Sequence, residues 1–453
     1  MDSIKNYIQQ NEKRFLEELF EFIRIPSVSA KSDNKEAMVH AADFVKNSLM
    51  KAGVDKAQVL DTKGWPVVYA DKIIDEKLPT VLVYGHYDVQ PAEPLNLWDS
   101  PPFEPEVRDG KIFARGADDD KGQMFMHVKA FEYMVSQDNL PCNVKFIIEG
   151  EEEVGSESLE EFCAENKELL AADVILVSDT SMLSLENPSI TTGLRGLAYF
   201  DVELTGQNRD LHSGLFGGSV QNPCNVLCGV IDKLIDKDGV ITIPGFYDSV
   251  LPLTDEERKE LNSAPFDEKT FFKGIGLEKG FGEKGYSVVE RLGARPTCDV
   301  NGIWGGHTEE GAKTVLPSKA FAKISMRLVP DQTPEKVAEQ FQDYMQGLIP
   351  DGFTLKVDYL HGGTPYVLPF DSKELDAARK AVQKTFGKTP FPVRSGGSIP
   401  VISTFEKVLG IKAVLLGFGL ESDAIHAPNE NYPLENFYKG IETISWFYHF
   451  YVK

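Results

Sequence analysis

Four short apolar runs recur along the chain, and each ends abruptly in polar residues. They are "TVLVYG" (80–85), "NVKFII" (143–148), "DVILVS" (173–178) and "AVLLGFG" (413–419). Near-continuous apolar runs of this length suit strands buried on both faces of a parallel sheet. Between the first two lies "GQMFMHVKAFEYMV", which puts Met124, Val128, Phe131 and Val135 on one helical face. The opening segment carries Ile4, Ile8, Phe15, Leu19, Phe22 and Ile23 near helical spacing. It predicts an amphipathic helix ended by Pro26 rather than a leader peptide. Together these alternations predict an α/β domain: a mostly parallel central sheet flanked by helices.

The period changes after Gly196. In "LAYFDVELTG", Ala198, Phe200, Val202 and Leu204 alternate with Tyr199, Asp201 and Glu203, the pattern of a half-buried strand. A helix near 223–236 follows, then a long stretch with Pro and Gly. Next come a strand "KAFAKISMRLV" (319–329), a helix "PEKVAEQFQDYM" and a strand "FTLKVDYL". This order predicts a smaller α+β domain over 197–366, inserted into a first domain made of 1–196 and 367–453. The helix "SKELDAARKAVQKTF" and the run at 413–419 then resume the first domain.

Composition narrows the partners. The 453 residues hold 47 basic and 70 acidic side chains, a formal charge of −23. Nucleic acid and anionic membrane surfaces would be repelled. No apolar run is long enough to span a bilayer. Five cysteines, an odd and sparse set, predict no disulfide framework and make the cytoplasm the expected location.

The candidate chemistry follows the buried runs. The first leads to His86, the second to Glu151, Glu152 and Glu153, the third to Asp179, and the last to His426. A further group, Asp118, Asp119 and Asp120, precedes the helix at 122–135. Ligand sites in open α/β sheets form at the carboxyl ends of strands. Taken separately, each group reads as a solvated loop, a helix cap or a structural histidine. Converging at one sheet edge, His86, Asp119, Glu153, Asp179 and His426 make a ligand set suited to Zn²⁺ or Mn²⁺. If one carboxylate bridges, the set serves two ions about 3.5–4 Å apart.

In order along nearly the whole chain, "YGHYDVQP", "GADDDKG", "EGEEEVGSE", "VSDT", "GLRG", "DLHSG" and "SGGSIP" resemble the motifs of the M20 metallopeptidases. They are most similar to the cytosolic non-specific dipeptidase and carnosine dipeptidase branch. The resemblance implies a hydrolase of dipeptides or short peptides, acting through a hydroxide bridged by two metal ions. It makes Asp119 the bridging ligand, with His86, Glu153, Asp179 and His426 completing the set. Glu152 becomes the general base, and Asp88 the carboxylate that orients His86. The inserted domain becomes a lid and dimerisation domain in a homodimer, with His212 reaching the partner's site to stabilise the oxyanion. Arg327 is implied to clamp the substrate carboxylate, with His361, Thr314 and Ser398 as further contacts.

One position departs from that branch. Its dipeptidases commonly carry Glu before the two glycines of "SGGSIP", where it pairs with the substrate's free amine; here the residue is Ser395. This keeps open an aminoacylase or deacetylase acting on N-acyl amino acids, and a catalytically inactive binding relative is the third reading. His40, His127, His307 and His449 have no supporting context.

Overall fold

The structure is a computed structural model that describes residues 2–397 and 399–453. The chain divides into two compact units. One holds Met1–Thr192, Leu368–Val393 and Val401–Lys453; the other holds Gly193–Val367 and Arg394–Pro400.

The first unit is built on a mixed sheet. Its strands run in the order Lys56–Leu60, Val67–Lys72, Asn143–Glu149, Thr80–His86, Val174–Val177, Ala413–Leu415 and Ser189–Leu194. The four apolar runs read from the sequence form its parallel centre. The margins are antiparallel. Every residue of Val174–Val177 and Ala413–Leu415 is buried, because helices cover both faces. Parallel pairing also aligns the carboxyl ends of the four central strands along one edge.

The first helix, Asp2–Ile23, buries Ile4, Ile8, Phe15, Leu19, Phe22 and Ile23 as the helical spacing requires. Helix Lys121–Ser136 is buried over most of its length against the sheet. Each fully buried Leu, Ile, Val or Phe contributes about 1.5–3 kcal/mol relative to exposure. The approach of this helix to strand Thr80–His86 requires Gly85. A Cβ there would lie 2.7 Å from Met124 Cγ and 2.8 Å from Asp120 Oδ2.

The second unit contains a four-stranded antiparallel sheet, ordered Thr297–Gly305, Lys319–Leu328, Gly196–Thr205 and Thr354–Gly363. Ala198, Phe200, Val202 and Leu204 face its core, joined by Met326, Leu227 and Phe341. The Phe200 and Phe341 rings lie 4.7 Å apart. The stretch read as Pro- and Gly-containing carries three short helices, Asp255–Leu261, Glu268–Gly274 and Val288–Ala294.

Candidate metal centre

The five residues expected to act as ligands meet at the carboxyl edge of the parallel strands. His86 is the last residue of its strand and is fully buried. Its main-chain N–H donates to Asp120 Oδ2 (3.1 Å). Its Nδ1 faces the main-chain oxygen of Asp88 at 3.1 Å, with Asp88 Oδ1 at 3.3 Å. The main-chain oxygen of Asp88 holds Nδ1 and leaves Nε2 as the ring nitrogen that faces the site. That Nε2 lies 3.1 Å from Asp119 Oδ1.

Asp119 turns its other oxygen toward a different imidazole: Oδ2 lies 2.9 Å from His426 Nε2. His426 Nε2 is also 3.2 Å from Glu153 Oε2. Asp179 follows strand Val174–Val177 and joins His86 and Asp119 in a group whose ligand atoms lie within 4.8 Å of one another. Asp119, Glu153 and His426 make a second such group. Asp119 belongs to both, so one carboxylate links two three-residue donor sets.

The three adjacent aspartates thus have three different environments. Asp119 is aimed into the site, and Asp120 holds the end of the His86 strand. Asp118 is fully buried, and neither of its carboxyl oxygens has a hydrogen-bond partner among the described residues. The glutamate run divides likewise. Glu151 Oε2 accepts from the Ser158 N–H (3.3 Å) and closes the turn. Glu153 is gripped by Gln90, whose main-chain N–H donates to Oε1 (3.0 Å) and whose Nε2 donates to Oε2 (2.8 Å). The Glu153 N–H donates to Asp88 Oδ2 (3.1 Å). Glu152 belongs to neither donor group among the described residues.

The electrostatics match the crowding of acids. Burial raises Asp179 and Asp120, and neighbouring carboxylates add to the shift. Burial opposes ionisation of Asp119, but its bonds to His426 and His86 hold it well below the usual carboxylate range. Hydrogen bonds to Asp119 and then Glu153 raise His426 to about 10. For His86, burial disfavours the cation, yet Asp119 and Asp88 outweigh it and raise the pKa. Glu152 is pushed up to about 7, by burial first and then by Asp119, Glu153 and Asp88 against the lowering effect of His86.

The donor chemistry fits divalent cations. Two imidazole nitrogens and three carboxylates suit borderline or hard ions. Two divalent ions against three anionic ligands leave one net positive charge. The imidazole and carboxylate lone pairs that share protons here at about 3 Å are the ones a cation would take.

The other site candidates lie in the second unit. His212 is exposed, and its Nδ1 accepts from the Gly214 N–H (3.0 Å). It pairs in register with Val315, beside Thr314, whose carbonyl accepts from the Ser213 N–H (3.0 Å). Arg327 and His361 flank the central strand, opposite Leu197 and Tyr199 respectively. Leu197 and Tyr199 alternate with the core positions, so both candidates stand on the sheet face away from the core. The His361 ring stacks on Tyr199 at 5.4 Å. Ser395 Oγ accepts from the Gly397 N–H (3.2 Å). Ser398 lies outside the described residues.

Sequence reasoning passed over Gln90 and the buried pair Arg115–Glu430 (2.6 Å). Gln90 and Glu430 each fall four residues after a candidate histidine, but such spacing carries no signal in a loop. His127 proves to be buried, with Nε2 2.8 Å from Ser178 Oγ. All five cysteines are free thiols. No helix among the described residues is long and apolar enough to cross a membrane.

Comparison with known proteins gives concordant matches. Residues 82–447 match the model of a family described as Peptidase family M20/M25/M40. The chain is 33% identical over 465 residues to the Cys-Gly metallodipeptidase of Schizosaccharomyces pombe, covering 99% of this chain and 98% of that protein. Among solved structures, an M20 family metallo-carboxypeptidase from Sulfolobus solfataricus is similar with a TM-score of 0.85 at 35% identity, over 96% of this chain and 99% of that one. Human carnosine dipeptidase 1 is similar with a TM-score of 0.81 at 30% identity, over 100% and 98% of the two chains.

Proposed function

Because the chain belongs to peptidase family M20/M25/M40, we propose that it hydrolyses dipeptides or short peptides using two divalent cations, Zn²⁺ or Mn²⁺. The observation that carries this reading is Asp119, whose two oxygens face two different histidines in two donor groups. His86 and Asp179 would hold one ion, His426 and Glu153 the other, and Asp119 both. When bound, such ions acidify an attacking water and polarise the scissile carbonyl. Glu152 accepts the proton of that water and returns it to the leaving amine. Its freedom from both donor groups supports that role. Asp88 fixes the His86 tautomer through its main-chain oxygen and, through Oδ2, the turn carrying Glu153.

The second unit serves as lid and dimerisation domain. His212 stabilises the oxyanion in the partner's site. Arg327 receives the substrate carboxylate, a task that suits a planar guanidinium, and His361, Thr314 and Ser398 make further substrate contacts. The free thiols agree with a cytoplasmic setting.

Glu152→Gln tests the base. It is expected to retain metal and fold while kcat falls by about 10²–10⁴. A kcat near wild type with full metal content would remove Glu152 from that role.

A second reading concerns substrate rather than mechanism. Ser395 is neutral and cannot form an ion pair with a substrate amine, and one similar solved structure is named a metallo-carboxypeptidase. Paired assays of free and N-acetylated dipeptides separate the readings. Preference for the free amine supports the dipeptidase; preference for the blocked substrate supports a carboxypeptidase or aminoacylase.

A further inference from the structure

Glu430 is fully buried, and its carboxylate collects four N–H donors. Oε2 accepts from Arg115 Nη1 (2.6 Å) and from the Gly116 amide (3.0 Å). Oε1 accepts from the amides of Asp118 (3.1 Å) and Asp119 (3.2 Å). The main-chain oxygen of Glu430 also accepts from the Ala114 N–H (3.1 Å). The turn that presents Asp119 is therefore wrapped around one buried side chain, through bonds of the strong charge-assisted kind.

Arg115 extends the contact. Its Nη2 donates to Pro91 O (3.3 Å) and Ala427 O (3.4 Å). Pro91 adjoins Gln90, which grips Glu153, in the segment that leaves His86. Ala427 adjoins His426. One buried ion pair thus ties together the segments bearing His86, Asp119 and His426.

The two donor groups are supported unequally. His86 ends a strand, and Asp179 closely follows one. His426 instead lies in a loop with left-handed backbone at Ala424 (φ 56°), His426 (φ 61°) and Asn429 (φ 64°), and its side chain is 53% exposed. Such backbone persists only where the surroundings hold it.

We propose that Glu430 and Arg115 are positioning residues that set Asp119 against His426, so that losing them weakens the ion held by Asp119, Glu153 and His426 more than the ion held with His86 and Asp179. This rests on the two-ion reading above.

The test is titration of the metal-free protein with Co²⁺, followed by its visible absorption and by a competing chelator. Glu430→Gln keeps the shape but offers one acceptor oxygen to four donors. Wild type is expected to take two equivalents tightly. The variant is expected to keep one and to bind the second about 10–100-fold more weakly. Arg115→Lys, which keeps the cation and a donor, is expected to weaken the same equivalent less. Wild-type binding of both equivalents by Glu430→Gln overturns the proposal, as does equal weakening of the two. A wild type that takes only one equivalent overturns the two-ion reading and the selectivity with it. If Glu430→Gln does not fold, Arg115→Lys decides, and unchanged binding of its second equivalent overturns the proposal.

Discussion

His127 shows how one buried side chain makes stability depend on pH. Its ring sits in the helix that leads from Asp120, with Nε2 against Ser178 and Nδ1 without a partner among the described residues. Burial lowers its pKa from 6.5 to about 3. Above pH 6.5 the ring is neutral in folded and unfolded chains alike, and nothing is lost. As pH falls below that value, the unfolded chain takes up a proton that the folded one refuses until about pH 3. Each unit in that window costs up to about 1.4 kcal/mol. His127→Gln is therefore expected to flatten the decline of stability between neutral and mildly acidic pH. Urea unfolding of both proteins across that range measures it, and parallel slopes would refute it. The same scale shows what the sequence could convey about the site. That several acids and two histidines follow apolar runs is visible in the text of the chain. Which of Asp118, Asp119 and Asp120 points inward depends on backbone geometry within one turn, and spacing does not encode it. Glu430 was illegible for the related reason that its partners are backbone amides, which every residue carries.

Among the elements, the central strands were readable because burial on both faces leaves near-continuous apolar runs. Strand Gly196–Thr205 was readable for the opposite reason, a strict alternation that the structure reproduces residue by residue. Strand Thr297–Gly305 was not read. It is an edge strand with mostly exposed or half-exposed positions, and no periodic signal survives there. The helices between 255 and 294 do carry a local signal. Thr254 with Glu257 and Ser287 with Glu290 are capping boxes, each hydroxyl accepting from the amide three residues on while the glutamate reaches back. The second box is also the centre of a cluster, since Glu290 is buried and bonded to Arg258 and Asn262. Ser287→Ala removes the cap but leaves those pairs. It is expected to cost about 0.5–2 kcal/mol of stability while leaving metal content unchanged. Thermal unfolding of the metal-loaded protein measures the first and elemental analysis the second; a loss of metal would tie this helix to the site in a way its hydrogen bonds do not.

For the molecule as a whole, the informative division is between the unit that carries the candidate metal ligands and the unit that carries His212. If the chain forms the proposed homodimer and His212 acts on the partner's site, mixtures of two complementary variants test that sharing. Consider Glu152→Gln, which leaves His212 intact, and His212→Ala, which leaves Glu152 intact. Each homodimer lacks one group at both sites. In a mixed dimer whose histidine acts across the interface, one site receives Glu152 from the His212→Ala chain and His212 from the Glu152→Gln chain, and is complete; the other lacks both. Random reassortment of equal amounts makes about half of the dimers mixed, so recovery to about one quarter of wild-type activity is expected. If the histidine served its own chain, every site in the mixture would still lack one group, and activity would stay at the average of the two mutants. The measurement is turnover before and after subunit exchange, with mixed dimers verified by differential tags. Verified mixed dimers without recovery would remove the shared site from the mechanism.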